Sequence, residues 1–178
     1  MKTTRAALVL TATALAPVLL LSTPSFAAAT AVDSDADNAA AIARILADPA
    51  SGKGVKREAQ EALDGTPADR VAFLATGFAK AQDEDNKVAI LRILFANPAT
   101  GKAVKREANK ALDGTPADRT AFLKTGLRLA QAEDDRVDVA RILARPGISD
   151  ALRAAAQKVV DGTPEELRHF ITVGRFQV

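Results

Sequence analysis

The segment Asp64-Gly65-Thr66-Pro67-Ala68-Asp69-Arg70 constrains this chain more than any other. It returns unchanged as Asp113 to Arg119, and altered as Asp161-Gly162-Thr163-Pro164-Glu165-Glu166-Leu167. The copies lie 49 and 48 residues apart, a period that belongs to helical repeat arrays. Each copy reads as a helix stop followed at once by a helix start. The glycine is expected to close one helix in the left-handed conformation. Thr then caps the next helix, Pro takes the first helical position, and an acid at the third completes a capping box.

The flanking residues repeat as well. Between Pro49–Gly77 and Pro98–Gly126, 23 of 29 aligned positions are identical. Before each motif, Val55, Ala59, Ala62 and Leu63, and again Val104, Ala108, Ala111 and Leu112, mark one face of a short helix. Leu152, Ala156, Val159 and Val160 keep that face in the third unit, where the polar side has changed. After the motif come Val71 and the pairs Phe73-Leu74, Phe122-Leu123 and Phe170-Ile171. Retained apolar positions with drifting polar ones are what stacking of neighbouring units demands. An earlier helix carries Ile42, Ile45 and Leu46 and ends at Asp48-Pro49.

After the Thr66-Pro67 start there is no further proline up to Ala96, and Gly77 is the one glycine. A single long helix, its apolar positions at Leu74, Phe78, Ala81, Val88, Leu91 and Phe95, is the favoured reading. The alternative starts a fresh helix at Asp83-Glu84-Asp85-Asn86, giving three helices per unit. The expected fold is all-α: a solenoid-like array of about three units of 48–49 residues, without β-sheet, over residues 35–178. An Ala-rich composition with no Trp or Tyr fits close-packed helices better than strands.

Residues 1–27 read as a secretory signal peptide: Lys2 and Arg5, the apolar run Ala6 to Leu21, then Ser25-Phe26-Ala27 at a cleavage site. An uncleaved anchor is the alternative. Residues 28–34 are expected to form a disordered tail, and the mature protein to be extracellular with no membrane span. The chain has 24 basic and 22 acidic residues, and Lys2 and Arg5 supply the whole excess. The mature chain is therefore electrically balanced, so no nucleic-acid partner is expected. The absence of Cys excludes a disulfide framework.

The repeated Asp-Gly-Thr-Pro-Ala-Asp-Arg-x-Ala-Phe-Leu-x-Thr-Gly segment, with the Val-Lys-Arg-Glu-Ala helix before it, resembles the ALF repeat family. Those are short Ala-rich repeats marked by Leu and Phe in secreted bacterial proteins. The resemblance covers residues 37–174 in about three copies. It implies a secreted helical repeat protein and brings no catalytic residues with it.

Chemistry has little to draw on. With no Cys and one His, a nucleophilic site would need His169 with Ser34, Ser51 or Ser149, and the same shortage deprives zinc of ligands. Carboxylates are numerous enough for glycoside hydrolysis, but Phe is the sole aromatic platform. Asp33-Ser34-Asp35-Ala36-Asp37 imitates the opening of a calcium loop, with Asn38 and Arg44 at the sixth and twelfth positions where Gly and Glu belong. These acids, and those of Asp83-Glu84-Asp85 and Glu133-Asp134-Asp135, are expected to be helix N-terminal charges.

No cofactor, no metal and no enzymatic activity are expected. The candidate contact residues are Lys53, Lys56, Arg57, Lys102, Lys105 and Arg106, which form a basic ladder if equivalent helices stack. They could hold an anionic cell-wall polymer, or serve as a solvated face with Arg57 paired to Glu61. A protein partner of the extracellular space or envelope is the favoured function. The polymer and a carboxylate-dependent hydrolase are its alternatives.

Overall fold

The computed structural model describes residues 25–95 and 100–178. Among the described residues every regular element is a helix, and there is no strand. Helix α1 (Ser25–Ala47) is followed by a short helix α2 (Lys53–Asp64). Next comes a long composite helix made of α3 (Pro67–Ala72), a π-helical turn (Phe73–Gly77) and α4 (Phe78–Phe95). The second unit repeats this with α5 (Lys102–Asp113), α6 (Pro116–Ala121), a π turn (Phe122–Gly126) and α7 (Leu127–Leu143). The third has α8 (Asp150–Val159), a shorter α9 (Pro164–Thr172) and a 3₁₀ turn (Gly174–Phe176).

The favoured single long helix is thus what forms. Its π turn is a widening in which Phe78 N–H donates to Phe73 O and Leu127 N–H to Phe122 O. Gly77 and Gly126 sit under the preceding Phe rings, where a Cβ would come within 3.1 and 3.2 Å of Cδ2. In the third unit the chain instead breaks at Val173 (φ −132°).

Each unit has its own core, built from equivalent residues. Ile42, Ala59 and Phe73 pack together in the first; Ile90, Ala108 and Phe122 in the second; Val139, Ala156 and Phe170 in the third. Alanine on the short helix lets the long helices approach closely, and a fully buried Ile such as Ile90 contributes about 2 kcal/mol.

Each long helix serves two cores. Its first half (Phe73, Leu74, Phe78) closes one core, and its second half (Ile90, Ile93, Leu94) opens the next. This corrects the single apolar stripe expected along it. The buried face changes between the halves, leaving Val88, Leu91 and Phe95 exposed, the last at 79%. Val71, the apolar residue that follows the first motif, is likewise exposed.

Two further corrections concern the ends of elements. Helix α1 begins at Ser25, so residues 28–34 are helical where an irregular tail is expected; the Ala-rich sequence there carries strong helix propensity and no breaker. The signal-peptide assignment to residues 1–27 falls almost wholly outside the described residues. The motif glycines are not left-handed: Gly65 and Gly114 have φ of −85° and −87°. Positive φ occurs at Gly147, in the turn after α7 (φ +74°).

Candidate functional site

The motif residues form contacts within their own scaffold. Thr66, Thr115 and Thr163 each cap the following helix, and Asp69, Asp118 and Glu166 fold back to accept from the cap backbone N–H and hydroxyl. These bonds hold the three carboxyls below their usual range. They also explain the glycines. A Cβ on Gly65 or Gly114 would lie 2.7 Å from the returning carboxylate oxygen. The glycine is needed for room.

The motif arginine ties three elements together. Arg119, 5% exposed, donates Nε and Nη2 to Asp83 of the preceding long helix at 2.6 and 2.9 Å. Its Nη1 donates to the Leu112 and Gly114 carbonyls at the end of α5. Arg70 does the same with Asp35, Leu63 O and Gly65 O. The guanidinium bonds hold both aspartates below the usual carboxylate range.

The acidic tracts are mid-helix and point elsewhere, which corrects their expected place at helix starts. Asp85 of α4 accepts from the Gly54 and Val55 N–H groups at 2.9 Å, capping α2 from a distance. Asp134 of α7 caps α5 in the same way, at Ala103 and Val104. The N-cap residues there are Gly52 and Gly101, and a Cβ on either would overlap the incoming carboxylate. Sequence reading misses this crossed cap because its partners are about thirty residues apart and neither carries an N-cap side chain.

The third unit changes each device in matched pairs. Ser149 stands where Gly52 and Gly101 do, and caps α8 with its own side chain. Ala132 and Leu167, both buried, replace Asp83 and Arg119. Asp135 and Arg168, paired at 2.8 Å, replace Asn86 and Thr120, which bond at 3.1 Å. Burial pushes the Asp135 carboxyl up, against the pull of Arg168.

Of the candidate ladder, Arg106 is engaged by Glu133 and Glu107, and Arg57 by Glu58 and, more distantly, Glu61. Those bonds raise both guanidinium pKa values further, Glu133 acting most on Arg106 and Glu58 on Arg57. Lys53, Lys102 and Lys105 are exposed and Lys56 half-buried. Both arginines thus sit in solvent-exposed ion pairs. His169 is exposed, Ser51 Oγ donates to Ile45 O and Ser149 caps α8. Asp35, in the calcium-like stretch, is bound by Arg70.

What remains open is a groove of about 840 Å³ between α5 and the α6–α7 helix, floored by Phe122 and Ala111 and edged by Arg106, Lys110, Asp118 and Leu129. Leu129 is 55% exposed. The equivalent groove in the first unit, beside Phe73 and Glu61, measures about 330 Å³. Two substitutions signal the difference in the sequence: Leu129 stands for Lys80, and Lys110 for Glu61.

Stacked units of one short and one longer helix, joined by repeated caps and ion pairs, define a helical repeat array. The particular array is the ALF repeat: that family's model, described as short repeats of unknown function, matches residues 40–81, 87–130 and 136–177. The chain belongs to this family. No curated protein matches it.

Proposed function

We propose that the chain is a secreted, non-catalytic repeat protein that binds a protein partner of the extracellular space or envelope through the groove of the second unit. The observation that carries this reading is Leu129, an aliphatic side chain held in solvent at the edge of a groove floored by Phe122. An exposed apolar edge beside a concave, partly charged lining is the anatomy of an interaction site. The non-catalytic part is supported by the motif acids and arginines, which are occupied in caps and ion pairs.

Export is supported by the charged, apolar and small-residue order of residues 1–27. Among the described residues no helix is long and apolar enough to cross a membrane.

The test is affinity capture of envelope and culture proteins on the mature chain, with Leu129→Glu as control, at two salt concentrations. A partner retained at both and lost with Leu129→Glu supports the reading. Capture that falls steeply from about 50 to 200 mM salt and ignores Leu129 moves the assignment to an anionic polymer at Lys53, Lys56, Lys102 and Lys105.

A further inference from the structure

The junction between the second and third units holds a second cavity, of about 390 Å³, that shares no residue with the groove. Thr100, Gln131, Asp134, Asp135, Asp138 and Arg168 form its polar lining. Ile93, Val104, Leu127 and Ile171 form aliphatic walls. Three carboxylates face one guanidinium, so the lining has an excess of negative charge.

Asp134 is engaged through both oxygens and Asp138 through Oδ1. Asp134 caps α5, and Asp138 pairs with Arg141 at 2.7 Å. Asp135 is different. It is 2% exposed; Oδ1 lies 2.8 Å from Arg168 Nη2 in an ion pair, while neither Oδ2 nor that Nη2 has a hydrogen-bond partner among the described residues. A buried acceptor left unmet is costly, and native structures seldom keep one without a use. The preceding junction shows a satisfied alternative, since Asn86 donates to Thr120 at the equivalent positions. The third unit has replaced a neutral, satisfied pair by a charged one with an unmet oxygen, beside a cavity.

The geometry points to a binding site for a primary alkylammonium group, its ammonium meeting Asp135 and Asp138 and its alkyl stem lying between Ile93, Leu127 and Ile171. An ammonium brings the donors that Oδ2 lacks and offsets the excess negative charge. The aliphatic walls select a hydrocarbon stem over a bare metal ion, and the volume is that of a small-ligand site. Burial raises the Asp135 carboxyl, with Asp134 and Asp138 adding to it while Arg168 and Gln131 oppose. Its charge is thus disfavoured until a cation arrives. The source is either a free amine or the side chain of a lysine on a partner.

The test is titration of the full mature chain with n-butylammonium, putrescine and Nα-acetyl-lysine amide, read by calorimetry at constant ionic strength. Tetramethylammonium and calcium serve as controls. Saturable binding of a primary amine is expected, weakened at least about ten-fold by Asp135→Asn and several-fold by Asp138→Asn. Asp135→Asn should fold, because Asn86 already occupies the equivalent position.

Preference for the two free amines assigns a small metabolite-like ligand, and preference for the lysine amide assigns a partner's side chain. Absence of saturation up to about 10 mM, equal binding of calcium or tetramethylammonium, or unchanged affinity in Asp135→Asn overturns the site. Because Leu129 lies outside this cavity, Leu129→Glu should leave amine binding intact whatever becomes of the groove.

Discussion

The crossed cap at the start of α5 permits a substitution whose effect can be worked out beforehand. Asp134 accepts from Ala103 and Val104 N–H at 2.9 and 3.0 Å, and Gly101 provides the room. Gly101 has φ −68°, which any residue tolerates, so Gly101→Ala acts through its methyl group alone. That methyl displaces the carboxylate and uncaps the helix. Loss of the cap costs about 1 kcal/mol, and removal of the negative charge from the helix N-terminus up to about 1 more. For a chain of this size about 2 kcal/mol lowers Tm by roughly 4–8 °C. Asp134→Ala should cost a similar amount.

The third unit supplies the remedy, since Ser149 Oγ accepts from Leu152 N–H at 3.1 Å without help from another helix. Gly101→Ser combined with Asp134→Ala should therefore return to within about 0.5 kcal/mol of the parent. With no Trp or Tyr, the assay is thermal melting followed by far-ultraviolet circular dichroism. If Gly101→Ala melts with the parent, or if the double variant is no better than Asp134→Ala, the crossed-cap reasoning is wrong.

Three other outcomes are expected. Gly114→Ala should destabilise nearly as much as Gly114→Val, by about 1 kcal/mol, because the collision with Asp118 begins at Cβ; urea unfolding of both decides, and a large excess for Val points back to backbone strain. Arg119→Leu leaves Asp83 buried without its main partner, whereas Asp83→Ala with Arg119→Leu copies the Ala132–Leu167 pair, so the double variant should melt higher than the single one. Finally, pH separates two groups of acids. Asp35, Asp69, Asp83, Asp118 and Glu166 have lowered pKa values, so their contribution, complete above about pH 4–5, is lost as pH falls through the folded values. Asp135 is raised, so its contribution is full below about pH 4 and lost as pH rises. Asp135→Asn should then raise Tm at pH 7 with the gain shrinking toward pH 4, and a gain that grows on acidification reverses the sign assigned to Asp135.

The local signals were legible and the distant ones were not. Thr66-Pro67-Ala68-Asp69 contains its whole capping box within four residues, and the structure forms it. The adjacent glycine was legible as necessary but for another reason, because the crowding at Gly65 comes from Asp69 and leaves no trace in backbone propensity. Asp83, Asp85, Asp134 and Asp135 resemble a helix start in composition. Their roles depend on Arg119, Gly54, Ala103 and Arg168, which only packing brings near. The apolar pattern after Gly77 misleads for a related reason: a helix that closes one core and opens the next has no single buried stripe, so Ile90 is buried where Leu91 is not. The groove announces itself by Leu129 and Lys110, two of the positions at which the second unit departs from the first.

Drift in the third unit is therefore organised. A random loss of Arg119's equivalent would strand the acid opposite it, yet both members have become apolar together, as Leu167 and Ala132. The N-cap glycine has become Ser149 in the unit that is capped by its own side chain, and Arg136 of α7 donates to Gly162 O in place of the missing motif arginine, as Arg119 does to Gly114 O. Paired change preserves each contact's satisfaction while altering its chemistry. Positions bound into such pairs are held by the stack, which leaves them little freedom to answer to a ligand. Leu129 and Lys110 line the larger groove, where the first unit has Lys80 and Glu61. Asp135 varies with its partner and still keeps an unmet oxygen. Those are the places where selection for something other than stacking can be read, and both open sites of this array are built around them.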